Sequence, residues 1–458
     1  MEERVRKIGP AGLRTDGEYV LYWIRANRRV ESNHALQFAA VLANRLQKPL
    51  LCYESLPCTY PYANDRLHAF TLEGVAETAA ALHKLGVGYI FDLCKTALLA
   101  CARGSLDQYS NHAAAVVTDD WPETLTGHIP QFGVETYAVD SSCIVPSKCI
   151  EARSYAAYSI RPKIHRLLER FLQPVEKVRL RRKWTAELPA LPALDASIKP
   201  SACEIDHSVP PSTLFRGGRK QAEFHLDRFL RHSLRRYARD KNQPTAHATS
   251  NLSPYLHSGY ISSLEIALQV REHAREHKLI ADEFLEELIV RRELAFNFAW
   301  YAKRLDSLTE LPDWVRSTLR AHRKDKRDPQ YAREQFEHAA THDDLWNAAQ
   351  KELLLRGKIH GYYRMYWGKK ILEWSRTPEE ALATMIYLND KYALDGQDPN
   401  TYANILWCFG LHDRPWGERP IFGMVRYMAR SGMDRKTDTQ AYRDEIDRLQ
   451  RTGKELTT

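Results

Sequence analysis

No apolar run in this 458-residue sequence approaches the roughly 20 residues that a bilayer-spanning helix needs. Its opening, MEERVRKIGPAG, is charged where a secretory signal would be apolar. Both absences lead us to expect a soluble chain that is neither exported nor membrane-bound. Neither GxGxxG nor the P-loop pattern GxxxxGK(S/T) follows any strand-like run, so a dinucleotide fingerprint and a P-loop are both lacking. Cysteine is sparse: Cys52, Cys58, Cys94, Cys101, Cys143, Cys149, Cys203 and Cys408 fall in no CxxC or CxxxxH spacing. That scatter reads as buried, reduced thiols in a cytosolic or nuclear compartment; it argues against zinc, and no metal is expected. In a bacterium the expected location is the cytoplasm with its nucleoid, in a eukaryote the nucleus or an organelle. Internal repeats and low-complexity tracts are also missing.

What is present is a globular composition, 44% hydrophobic and 27% charged, at a length that favours two domains. The net charge of +8 suits a polyanionic partner, because Lys and Arg that neutralise phosphates release condensed counterions. The same charge is also common on solvated surfaces, so the motifs carry the functional reading.

Along the chain, β-type runs at Tyr19–Ile24, Pro49–Glu54, Gly88–Asp92, Ala114–Thr118 and Glu135–Val139 alternate with amphipathic stretches such as Asn33–Gln47 and one ending near Leu85. This predicts an α/β domain over 1–187 with a Rossmann-like, mostly parallel sheet. A Pro-, Ala- and Ser-rich block at 188–214 reads as a connector. From 215 to 458 the period is helical, at Arg219–Tyr237, Ser262–Glu276, Asp282–Lys303, His342–Arg356, Tyr363–Trp374 and Pro378–Tyr392, which predicts an all-α second domain.

Three segments carry chemistry. In TAHATSNLSPYLHSG, Thr249, Ser250, Asn251, Leu252 and Ser253 precede a short helix start, where hydroxyls and unpaired N–H groups suit a phosphate or simply cap the helix. In EELIVRRELAFNFAW, Glu287 and Arg291 share a helical face, consistent with a surface ion pair or with a carboxyl group poised for hydrogen bonding or proton transfer. Trp367 and Trp374 are seven apart, hence on one helical face and about 10 Å apart along the axis, a spacing that serves core packing and electron hopping alike.

These segments resemble the photolyase and cryptochrome family, and the stretch from Thr341 to Asn400 resembles the class II cyclobutane pyrimidine dimer photolyases almost throughout. TSNLSPYLHSG is similar to the family's TSxLSPYLxxG signature. The resemblance implies FAD in the helical domain, its pyrophosphate held by Thr249 to Ser253 and Tyr237 against the same cofactor. Arg364 and Asp395 are implied as an ion pair beside the isoalloxazine, with Asn389 or Asn400 facing flavin N5. Glu287 is implied as the residue that binds the lesion bases, with Arg291 beside them, Met365 and Trp407 lining the lesion pocket, and Lys241 and Asn242 in the loop that enters the gap left by the flipped dimer. Trp346, Trp367 and Trp374 are implied as the chain that reduces the flavin after light absorption. Arg419, Arg426, Arg430, Arg435 and Lys436 form a basic edge suited to DNA phosphates. HRKDKR, from His322 to Arg327, reads as a solvated turn.

The implied activity is light-driven repair of cyclobutane pyrimidine dimers in DNA by electron transfer from excited, reduced FAD to a flipped-out lesion. The alternative is a cryptochrome-like flavoprotein without repair, against which the roughly 20 residues after the last matched segment leave no room for a signalling tail. A catalytically silent flavin- or DNA-binding protein is a third reading, because the sequence departs from the family around Trp407 and at Ala429. A deazaflavin-type or other antenna chromophore is implied for the first domain, with no residues assigned to it. A monomer with no obligatory protein partner is expected.

Overall fold

Two runs are apolar on both faces, and this places them at the middle of the sheet: Tyr19–Ile24 and Ala113–Asp119, the second buried at every position. The computed structural model describes residues 1–97, 99–188 and 200–453, so 189–199 of the connector lie outside the described residues. Strands β1 (Val5–Ile8), β2 (Tyr19–Ile24), β3 (Leu50–Leu56), β4 (Gly88–Leu93), β5 (Ala113–Asp119) and β6 (Thr136–Val139) form one sheet. Their order is β1-β6-β5-β2-β3-β4, parallel throughout except for β1 against β6. The expected α/β fold is present. The strand missing from the sequence reading is β1, whose VRKI has two charges in four residues and lies at the edge.

The helices used below are α1 (His34–Leu46), α2 (Asp65–Lys84), α3 (Arg219–Arg228), α4 (Ser263–His277), α5 (Arg292–Tyr301), α6 (Asp344–Arg356), α7 (Gly361–Trp374), α8 (Pro378–Tyr392), α9 (Pro399–Cys408) and α10 (Arg430–Lys436). Side-chain caps start several of them: Asn33, Asn64, Asp343, Thr377 and Asp398 each accept from a backbone N–H of the first turn. The second half is helical, as expected, but two of the expected helices are not regular. Phe229–Ser233, just after α3, and Glu286–Arg291, just before α5, are π-helical. None of the described helices is long and apolar enough to cross a membrane.

In an open parallel sheet the order reverses between β2 and β5, and ligands usually bind in the crevice there. Here the chain itself fills it. Asp119, at the end of β5, accepts from the N–H groups of Arg25, Ala26 and Asn27 and from the Asn27 amide and the Tyr22 hydroxyl. Gly259 of the helical half packs on this loop so closely that a Cβ would lie 1.8 Å from the Ala26 oxygen. Arg28 and Arg29 donate to the carbonyls of Ser258 and Gly259.

A second tie matters more for function. Arg66 of α2 is buried, and its guanidinium donates to the carbonyls of Leu353 and Leu354 in α6 and of Tyr392 in α8. Helix C-terminal carbonyls carry partial negative charge, so one cation from the first half fixes the ends of two helices in the second. The loops that follow those ends carry Lys358 and Asp395.

The third tie is a carboxyl group. Glu293 of α5 is buried, and its Oε1 accepts from the N–H groups of Ile144 at 2.6 Å and Val145 at 3.2 Å. Burial pushes its pKa up to about 8, against the pull of those two N–H groups. The folded chain therefore holds a proton there that the unfolded chain releases near pH 4.5. This contribution favours the folded state fully below that value and is lost as pH rises to about 8. Glu293→Gln should flatten the urea-midpoint profile across this window and raise stability at pH 9 by a few kcal/mol, at roughly 1.4 kcal/mol per unit. Parallel wild-type and variant profiles would disprove the assignment.

Candidate active site

α6 ends at Gly357, whose φ of +75° turns the chain sharply, and a Cβ there would press on Leu394 and Arg66. The turn delivers Lys358 and His360 into a pocket opposite the loop Thr249–Asn251. The pocket encloses about 770 Å³ including its open mouth, and Arg228, Phe229, His247 and Arg356 also line it. Thr249, Ser250 and Asn251 all line this pocket. The segment that follows them, Ser253–His257, is only five residues long. A helix dipole is therefore a weak source of positive potential here, and side-chain cations supply it instead.

Chief among these is Lys358, which the sequence reading did not single out. Its ammonium donates to Asn251 Oδ1 at 3.0 Å, burial lowers its pKa, and among the described residues it has no ion-paired carboxylate. Lys358 is half-buried, and an ammonium so placed, hydrogen-bonded to an amide oxygen, has donors left to offer an anion. Arg356, by contrast, is held by Glu352 at 2.8 Å and Glu445 at 2.6 Å. The available signal was RGKIHG, where a Gly ends a helix just ahead of a lysine.

Beside Lys358 stands the expected ion pair, Arg364 of α7 with Asp395 at 3.0 Å. Burial alone would raise the Asp395 pKa, but Arg364, the Ser253 hydroxyl and Lys358 together hold it below the usual carboxylate range. Two buried atoms near this group, Arg364 Nε and His360 Nδ1, have no hydrogen-bond partner. The two candidate asparagines sit around the same loop. Asn389 is buried and its amide reaches Asp390 and the hydroxyl of Thr401, while that hydroxyl donates to the carbonyl of Asp395. The Asn400 amide is held at 2.8 Å by Asp398. Leu252 is a core residue, and Tyr237 stands behind the pocket wall, edge-on to Phe229 at 5.8 Å.

The three tryptophans are buried and form one path. Trp346 Nε1 donates to the carbonyl of Trp367 at 3.0 Å, and its ring lies edge-on to Trp374 at 6.2 Å. Trp367 is one turn beyond Arg364 on α7. At the other end Trp374 touches His342 at 4.9 Å and Tyr331 at 5.7 Å, and His342 is exposed. Trp346 of α6 thus lies against both Trp367 and Trp374 of α7.

On the outer face, Lys241 pairs with Glu287 at 3.3 Å and Glu283 at 2.7 Å and lies over the Tyr237 ring. The expected pairing of Glu287 with Arg291 is not present. The π-helical turn widens the period beyond four residues, so Arg291 faces Glu286, five before it, at 3.6 Å. Arg161 holds Glu286 from the other side at 2.6 Å. Met365 of α7 and Trp407 of α9 are half-buried, on helices that pack against each other.

The basic edge divides. Arg430 pairs with Asp343, Asp344 and Asp434, so it ties α10 to the first turn of α6 and is not a ready phosphate contact. Arg426 instead lies over the ring of the exposed Trp416, which Arg414 flanks as well. Trp416 was not singled out from the sequence, where it was one aromatic in a Pro-, Gly- and Arg-rich run. The exposed Asn242 is next to Gln243, whose amide donates to the Lys436 carbonyl, so the 241–243 loop adjoins α10. HRKDKR is also not wholly solvated: Arg327 is buried and donates to the carbonyl of Leu372.

Comparison with known proteins places this geometry. The DNA photolyase family matches residues 20–180. The chain is 40% identical over 457 residues to the deoxyribodipyrimidine photo-lyase of Methanothermobacter thermautotrophicus, covering 97% of this chain and 98% of that one. It is 38% identical to the protein of that name from Oryza sativa (97% and 90% covered) and 37% identical to that from Potorous tridactylus (97% and 84%). Among solved structures, a class III photolyase from Agrobacterium tumefaciens superposes with a TM-score of 0.69 at 17% identity, covering 96% of this chain and 93% of that one. A Sulfolobus tokodaii photolyase, solved with two FAD molecules, gives 0.65 at 17%, covering 94% and 91%. At such identities the structures establish the shared fold.

Proposed function

The chain belongs to the DNA photolyase family, and from that premise we propose that it is a deoxyribodipyrimidine photo-lyase of class II, which repairs cyclobutane pyrimidine dimers in DNA using FAD and light. The observation that supports this most is the half-buried Lys358 ammonium, hydrogen-bonded to Asn251 in the pocket that Thr249 and Ser250 also line. Lys358 and the hydroxyls of Thr249 and Ser250 would hold the FAD pyrophosphate. The Arg364–Asp395 pair and the unpartnered Arg364 Nε offer fixed charge and a donor to a ring system of mixed polarity. Ser253 holds Asp395 in place, Leu252 and Tyr237 close the wall, and Asn389 or Asn400 supplies an amide. When bound, reduced and excited, FAD supplies the electron that opens the cyclobutane ring and receives it back.

The chain's own residues do the rest. Arg426 and Trp416 offer a cation and a flat ring to the DNA backbone and an unstacked base, and Lys241 and Asn242 enter the gap beside it. Met365 and Trp407 wall the lesion, and Glu287 offers its carboxyl to the base carbonyls. Trp374, Trp346 and Trp367 carry an electron inward from the surface at His342 and Tyr331.

The test is repair of dimer-containing DNA under blue light against a dark control. Light-dependent loss of dimers supports the proposal, whereas flavin photoreduction without repair makes the protein cryptochrome-like. Glu287→Ala should lower the repair yield about a hundredfold, the scale of a lost positioned acid, while leaving flavin content at the wild-type level. Equal loss of flavin and repair would make Glu287 a structural residue.

A further inference from the structure

Away from the flavin pocket, three buried side chains from distant parts of the sequence converge. Cys58 follows β3, His68 is in the first turn of α2, and Cys203 is in the part of the connector that enters the helical half. Their ligand atoms lie within 4.8 Å of one another. We infer that Cys58, His68 and Cys203 form a structural zinc site, two sulfurs and one imidazole nitrogen, with the fourth place left to an oxygen donor.

Two observations carry this. The His68 ring is fully buried, stacked against Tyr60, with Nδ1 at 2.9 Å from the Tyr60 hydroxyl. Its other nitrogen, Nε2, is buried without a hydrogen-bond partner. With Nδ1–H donating to Tyr60, Nε2 presents a lone pair, the arrangement in which an outer partner fixes the tautomer of a metal-bound histidine. Second, two sulfurs with one imidazole select a borderline-soft ion with tetrahedral preference. Zinc bonds of about 2.3 Å to sulfur and 2.0 Å to nitrogen put ligand atoms about 3.5 to 3.8 Å apart, so the cluster closes with shifts of about 1 Å or less.

Binding replaces both thiol protons, which leave to solvent, and no oxidant is required. The Cys58 thiol now donates to the carbonyl of Cys94 at 2.9 Å, and the metal takes that proton's place. The consequence is mechanical. The site clamps the first turn of α2 to the connector, where Asp65 and Asp206 already meet through backbone hydrogen bonds. Two residues from His68, Arg66 holds the ends of α6 and α8.

The experiment uses the full chain, purified under reducing conditions, offered one equivalent of zinc and dialysed against a weak chelator. Elemental analysis should find about one zinc per chain, and X-ray absorption at the zinc edge should read two sulfurs at about 2.3 Å. Cys203→Ser and His68→Gln should each lower retained zinc at least tenfold, while Cys149→Ser should retain it. Absence of retained zinc in the wild type, a sulfur count other than two, zinc undiminished in both variants, or a native Cys58–Cys203 disulfide on peptide mapping would each overturn the inference. The absorption measurement on the wild type decides if a variant fails to fold.

Discussion

Asp395→Ala should yield a protein that purifies with less than about a tenth of the wild-type flavin, a loss of at least ~1.4 kcal/mol in binding. Asp395 joins several charges next to the pocket: it pairs with Arg364, accepts from Ser253 and feels the charge of Lys358. Without it two cations face each other across a buried space. Removing one member of a buried pair costs about 3–5 kcal/mol because the partner's charge stays uncompensated. The urea midpoint should therefore fall together with flavin content. Asp395→Asn, which keeps shape and a hydrogen-bond acceptor, should lie between the two. Flavin absorbance per chain after gel filtration reads the effect directly. Wild-type flavin with an unmoved midpoint would remove Asp395 from the site.

Trp346→Phe should reduce flavin photoreduction under steady blue light at least about a hundredfold, equivalent to roughly 2.7 kcal/mol on a barrier. Trp346 is the middle of the path: it touches the Trp374 ring on one side and the Trp367 carbonyl on the other. The substitution keeps an aromatic ring in the core and removes one hydrogen bond and part of the packing, so the fold should lose only about 1–3 kcal/mol. The decisive control is chemical. Once the variant is reduced with dithionite, its repair yield should match the wild type if, as we propose, the tryptophans serve reduction of the flavin and not ring opening. A repair defect that survives chemical reduction would mean that Trp346 shapes the lesion site instead.

The amino-acid sequence by itself determined the architecture, an α/β half followed by a helical half. Runs buried on both faces, such as those of β2 and β5, are legible because apolar residues occupy nearly every position. Helix starts at Asp343 and Thr377 are legible because a cap is a local interaction between neighbours in the chain, whereas the helix that Asp398 caps was not read from the sequence. Arg364 and Asp395, 31 residues apart, were found through resemblance to a family motif, since no periodicity links them.

Tertiary structure alone decided the rest. Whether Glu287 faces Arg291 or Lys241 depends on a π-helical turn, a register change that leaves no compositional trace. Arg426 and Arg430 look alike in sequence, yet one stands over an exposed tryptophan and the other among three aspartates. Lys358 faces the pocket only because Arg66, almost 300 residues away, holds the two helix ends around it. Cys58, His68 and Cys203 meet only once α2 and the connector have docked. Propensity and capping act over a few residues and are written locally, whereas the charge environment of a side chain is a sum over neighbours that only the folded chain assembles.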